Sequence, residues 1–169
     1  LDALRIKLED EEPPEKIFEI LERNVDILAR RVNALRDLDL IEKGFFSLNL
    51  ETIDSKKFLD VVESSIAGLV DKERVKFELL VDNAQNLVID MERISEVIFN
   101  LVENATKHSP SDSTVNLTCM WSAKGVRILV EDQGAGLLKE QMEKLFEPFY
   151  TEETQYHKKG MGLGLFIVK

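Results

Sequence analysis

Two asparagines one helical turn apart, Asn100 and Asn104, stand in the stretch RISEVIFNLVENATKHSP, where Ile94, Val97, Ile98, Leu101, Val102 and Ala105 line one side of a helix. At about 100° per residue, Glu96, Asn100, Asn104 and Lys107 share a sector of roughly 80° on the other side. Asparagine is a poor helix former, so a pair of them mid-helix opposes local preference without helping a core. Their amide oxygens are hard, neutral ligands of the kind Mg²⁺ takes while filling the rest of its shell with water and phosphate oxygens. Alone, the pattern equally fits a solvated face that tolerates two amides.

Downstream, RILVEDQGAG ends a strand-like run on Asp132, and Gly134 and Gly136 behind it are free to turn tightly with positive φ. A carboxylate there can accept a hydrogen bond from an adenine amino group. Asp-x-Gly-x-Gly by itself is also an ordinary loop. Further on, Gly160, Gly162 and Gly164 open a helical stretch, Leu163 to Lys169, whose free N–H groups can meet phosphate oxygens. The formal net charge of −10 gives a polyanion no bulk attraction, so such a site must work at short range, through aimed amides, a bound cation and a few local charges. Lys107, His157, Lys158 and Lys159 are the candidate charges, although the last two fit a plain solvated loop nearly as well.

These residues need a scaffold, and 169 residues with 44% hydrophobic and 32% charged can supply a real core, as one domain or a domain with an appendage. The single Cys119 excludes an internal disulfide framework, and two histidines with one cysteine argue against structural zinc. A reducing, intracellular compartment is the expectation. No apolar run approaches the ~20 residues that span a bilayer and no signal-peptide pattern opens the chain, so no direct membrane contact is expected. With 32 acidic against 22 basic residues and no basic stripe, nucleic acid is not an expected partner.

Residues 1–9 read as the tail of a helical pattern, and DEEPPE after them as a turn. From Glu15 to about Lys43 the period is helical: Phe18, Leu21, Val25, Leu28, Val32 and Leu35 take heptad-like steps, Ile20, Ile27, Ala34 and Ile41 add a second stripe, and Gly44 stops the helix. So wide an apolar face wants two neighbours. A homodimeric four-helix bundle, two chains each giving a helical hairpin, supplies them; packing on the chain's own domain is the alternative. After the linker FFSLNLETI, Asp54 or Ser55 offers an N-cap for a helix through Leu59, Val62, Ile66 and Val70. Alternation then predicts strands around Val75–Val81, Val115–Trp121 and Val126–Val130, with a short strand at Leu87–Ile89 joining them. The expected fold is α+β: a two-layer sandwich, helices over one face of a mixed, mostly antiparallel sheet.

Taken together, the motifs resemble those of one family. NLVENATKHSP resembles the N box of sensor histidine kinases, EDQGAG their G1 box, FEPFY their F box and GMGLGLFIVK their G2 box. All four occur in the family's order from Arg93 to Lys169, and residues 1–50 resemble its dimerisation hairpin. The resemblance implies a hairpin over 1–47 followed by a Bergerat-type, GHKL-like ATP-binding domain over 48–169, in a cytoplasmic protein. It implies ATP and Mg²⁺ as cofactors, with Asn104 holding the metal, Asn100 and Lys107 beside the phosphates, and Asp132 reading adenine. Gly134 and Gly136 would give the nucleotide room, Gly160, Gly162, Leu163 and Gly164 would meet the phosphates, and Phe149, Tyr150 and Lys159 would also bind the nucleotide, Lys159 from a lid between Tyr150 and Gly160. Phe146 and Phe149 would anchor that lid.

Relatives of the same ATP fold that hydrolyse ATP carry a glutamate base one turn before the magnesium-binding asparagine. Here that place is Asn100, and an amide takes no proton, which favours phosphoryl transfer over hydrolysis. The resemblance implies transfer to a hairpin histidine and relay to a response-regulator aspartate. His108, where the family often has tyrosine, and His157 lie in neither H-box context, so the acceptor is expected upstream of Leu1. The G2 helix would normally continue past Lys169, and Thr151 stands where a basic residue often follows the F box. Two other readings stay open: an ATP-binding dimeric scaffold without transfer, and an anti-sigma-type serine kinase.

Overall fold

The computed structural model describes residues 14–70, 75–82, 84–122, 125–151 and 162–169. It divides into two compact units, Leu1–Gly44 and Phe45–Lys169. The described part of the first is one helix, α1 (Pro14–Glu42). Pro14 at its first position costs nothing, because that N–H has no intrahelical partner. Gly44, with φ of 70°, ends it by donating to the Ile41 carbonyl. Phe18, Val25, Leu28 and Val32 all face solvent on this helix. The first helix of the expected hairpin falls outside the described residues.

In the second unit, α2 (Ser55–Val70) starts where Asp54 accepts from the N–H groups of Lys56 and Lys57, and it buries Phe58, Val62 and Ile66. Helix α3 (Met91–His108) buries Ile98, Val102 and Ala105 at helical spacing. Both cover a three-stranded sheet of β2 (Val75–Asp82), β4 (Ser113–Ser122) and β5 (Gly125–Glu131), with β4 in the middle, parallel to β2 and antiparallel to β5. Strict alternation turns Val115, Leu117, Cys119 and Trp121 of β4 inward. There the Trp121 ring meets Phe58 edge-on, centroids 5.8 Å apart. Burial pushes the Cys119 thiol up to about 11, which leaves it a small apolar core residue.

One expectation needs correcting. Leu87–Ile89 does form a strand, β3, but it pairs antiparallel with β1 (Glu51–Ile53) in a separate two-stranded sheet instead of joining the larger one. Its partner lies in the expected linker, because ETI offers too few alternating residues to announce a strand. Ile53 and Leu87 enter the core from this ladder, so the chain beyond Leu50 belongs to the domain wall.

Among the described residues, no helix is long and apolar enough to cross a membrane.

Candidate functional site

Helix α3 is the spine of the site, and two glycines fix what lies against it. A methyl group placed on Gly164 would sit 3.2 Å from Asn100 Oδ1, so the start of helix α5 (Gly164–Val168) rests on the Asn100 side chain. At the other end, a methyl group on Gly134 would lie 3.0 Å from the His108 carbonyl oxygen and 2.8 Å from Asp132 Oδ1. The turn after β5 therefore abuts the last residue of α3. Asn100 and His108 are eight residues apart, about 12 Å of helix at 1.5 Å per residue. Asn104 and Lys107 fall between those contacts, Asn104 half-buried and Lys107 exposed.

The two glycines of the first turn serve different ends. Gly136 has φ of 74° and takes the left-handed backbone expected of it. Gly134 is outside that region and is needed for space alone, pressed between its neighbours. Its N–H donates to Asp132 Oδ1 at 2.7 Å, an Asx turn that orients the exposed carboxylate.

The second glycine segment is clamped from the other side. Phe149 donates its N–H to the Gly162 carbonyl at 2.9 Å. A methyl group on Gly162, whose φ is 69°, would be 2.6 Å from the Phe149 carbonyl carbon and the Tyr150 carbonyl oxygen. Phe149 itself has φ of 66°, a conformation that costs a bulky residue of order 1–3 kcal/mol and persists only where its surroundings impose it. Between the two glycine segments runs a short helix without a sequence signal, α4 (Lys139–Lys144). Tyr150 is half-buried and Leu163 buried, whereas Phe146 and Phe149 are exposed, and most of the lid they are expected to anchor lies outside the described residues. His157, Lys158, Lys159 and Gly160 lie outside the described residues.

One polar residue that the spacing argument passed over sits at the head of α3. Asp90 is its N-cap: Oδ1 accepts from the Arg93 N–H at 3.1 Å, and Oδ2 from the Asn49 N–H at 2.8 Å. Burial works to raise its pKa, but the Asn49 and Arg93 N–H groups and the Arg93 charge outweigh burial and hold the carboxyl below its usual range. Arg93 pairs with Glu96 at 3.2 Å and lies 5.2 Å over the Phe46 ring. An aspartate directly before an apolar-periodic run, with a charged first turn, was the available signal.

Two helices cover one face of a mixed sheet, and glycine turns gather along one of them. Residues 89–169 match the family described as histidine kinase-, DNA gyrase B-, and HSP90-like ATPase, and this match, with the relatives that follow, supports a histidine kinase ATPase domain in this segment. The chain is 28% identical over 157 residues to the sensor histidine kinase TmoS of Ectopseudomonas mendocina, covering 91% of this chain and 16% of that protein. It is 30% identical over 164 residues to the hybrid signal transduction histidine kinase D of Dictyostelium discoideum, covering 91% of this chain and 10% of that one. The chain thus spans well under a third of the length of these relatives. Among solved structures, the Acinetobacter baumannii histidine kinase AdeS superposes with a TM-score of 0.68 at 26% identity, over 99% of this chain and 78% of that one. The catalytic domain of histidine kinase ThkA gives 0.60 at 27% identity, over 71% and 77%.

Proposed function

We propose that the chain is the catalytic part of a sensor histidine kinase: it binds Mg·ATP along α3 and directs the γ-phosphoryl group to a histidine, from which it passes to an aspartate of a response regulator. The observation carrying this reading is that one helix touches both glycine segments, at Asn100 and at His108, with Asn104 and Lys107 between. A nucleotide laid along that ~12 Å stretch has the Asp132 carboxylate at one end for the adenine amino group. At the other end are the first N–H groups of α5, which no side chain caps.

The donor set suits magnesium. Among the described residues no three or more His, Cys, Asp and Glu gather in one place, so the ion would rest on the Asn104 amide oxygen, water and phosphate. Bound there, it would neutralise charge on the transferring group. Lys107 adds a local cation, and the Asn100 amide orients a phosphate oxygen without abstracting a proton. Glu96, the carboxylate one turn before Asn100, is paired with Arg93 at 3.2 Å, and the position one turn before Asn104 is an amide, so the base of the hydrolysing relatives has no counterpart at that place. Catalysis by this chain is placement and charge neutralisation. Residues 1–47 would contribute the dimerising hairpin and 48–169 the ATP-binding domain.

Calorimetry with a non-hydrolysable ATP analogue tests the site. Binding is expected with Mg²⁺, and Asn104→Ala is expected to lose the magnesium-dependent part; unchanged affinity would remove Asn104 from its role. In the full-length protein the phosphoryl product should be acid-labile. An acid-stable product would favour a serine kinase, and binding without any phosphoprotein a scaffold.

A further inference from the structure

The linker between the two units is not a free tether. Helix α1 ends at Glu42 with Gly44 as its stop, and Phe46 already lies under the Arg93 guanidinium. Three residues on, the Asn49 N–H is bound by Asp90, and at Glu51 the chain enters the β1–β3 ladder. Phe46 and Asn49 thus attach the linker to the first turn of α3.

We propose that Asp90, with Arg93 and Phe46, forms a positioning clamp that ties the linker to the helix carrying Asn100 and Asn104, so that the linker's position sets the tilt of α3 at the nucleotide site. It rests on the nucleotide reading above and adds how that site is governed. One carboxylate holds both parts, Oδ2 on the incoming chain and Oδ1 on the helix start, and Asp90 is 9% exposed, so water competes little for either bond. The lever is long. Asn100 lies ten residues from Asp90, about 15 Å along the axis. A tilt of about 4° about the cap moves Asn100 by about 1 Å, the scale on which misplacement costs a reacting centre up to about a hundredfold. Glu96, on the same face one turn before Asn100, is held by Arg93, which carries the attachment one turn further.

Coupling of this kind is reciprocal, so nucleotide at the far end must be felt at the linker. The test uses the full-length protein, hydrogen exchange at the Asn49 amide with and without saturating ATP analogue and Mg²⁺, and steady-state phosphohistidine formation. Analogue binding is expected to change Asn49 exchange by about threefold or more. Phe46→Ala, which leaves the helix cap intact, and Asp90→Ala are each expected to lower kcat about tenfold and to change affinity for the analogue about threefold or more, the reciprocal of its effect on Asn49 exchange. Asp90→Asn keeps one acceptor for the Arg93 N–H but sets an NH2 group against the Asn49 N–H, so it should retain the helix cap and still lose most of the rate. If Asn49 exchange is indifferent to an analogue that calorimetry shows to be bound, or if Phe46→Ala turns over at the parent rate, the clamp is only a helix cap and the proposal falls. An analogue that does not bind the parent at all overturns the nucleotide reading, and the clamp with it.

Discussion

At the scale of single residues, Asp90 shows how a carboxylate makes stability depend on pH. Burial works to raise its pKa, but the backbone N–H groups of Asn49, Arg93 and Glu92 and the Arg93 charge outweigh it and hold the folded carboxyl below the usual aspartate range. A depressed acid contributes stability that is complete above the unfolded value and lost as pH falls through the lower folded one. The parent should therefore lose stability on acidification through and below about pH 4 more steeply than Asp90→Asn, which has no charge to lose. Urea midpoints at pH 7 and in the acid range measure the difference. Parallel declines in the two proteins would show that Asp90 contributes no proton linkage. Glycines make the complementary point: Gly162 has both a left-handed φ and a backbone wall 2.6 Å from any added carbon, so its role is steric.

Helix α3 is where element-scale energetics and the site meet. Its inward residues Ile98 and Val102 are fully buried against Phe58, Val62, Leu117 and Cys119, and they hold the face carrying Asn100 and Asn104. Ile98→Ala should cost about 2–5 kcal/mol through lost burial and a residual cavity; Ile98→Val should cost about 0.5–1.5 kcal/mol. Chemical denaturation of the pair checks this, and a loss under 1 kcal/mol for alanine would mean that α3 repacks freely. This helix was legible from the sequence to its end residues, because an 18-residue amphipathic period with an aspartate before it leaves little choice. The alternating strands β2, β4 and β5 were equally plain. The β1–β3 ladder was not, since three-residue strands carry almost no period and are fixed by tertiary partners. For the same reason the glycine motifs announced themselves while the reason for Gly134, a close approach to His108 twenty-six residues earlier, did not. Asp90 could be read as a cap, but not its hold on Asn49.

For the whole molecule, α1 sets the question of assembly. Phe18, Val25, Leu28 and Val32 are between 57% and 63% exposed on one chain, at the heptad steps that a bundle would bury. Monomers rarely keep so continuous an apolar stripe in water, and a helix in isolation has little other source of stability. The proposed homodimer covers it, and because the stripe is uncharged while each chain carries a net charge of −10, association should strengthen with added salt as repulsion is screened. Leu28→Glu places a carboxylate in the middle of the stripe. Sedimentation equilibrium should show the parent chain as a dimer at micromolar concentration and the variant as a monomer. The variant's affinity for the Mg²⁺-bound ATP analogue should stay within about twofold of the parent's, since Leu28 lies in the compact unit that ends at Gly44, and the proposed nucleotide contacts lie beyond it. A parent that stays monomeric, or a Leu28→Glu chain that stays dimeric, would show that the stripe is covered by something other than a second copy.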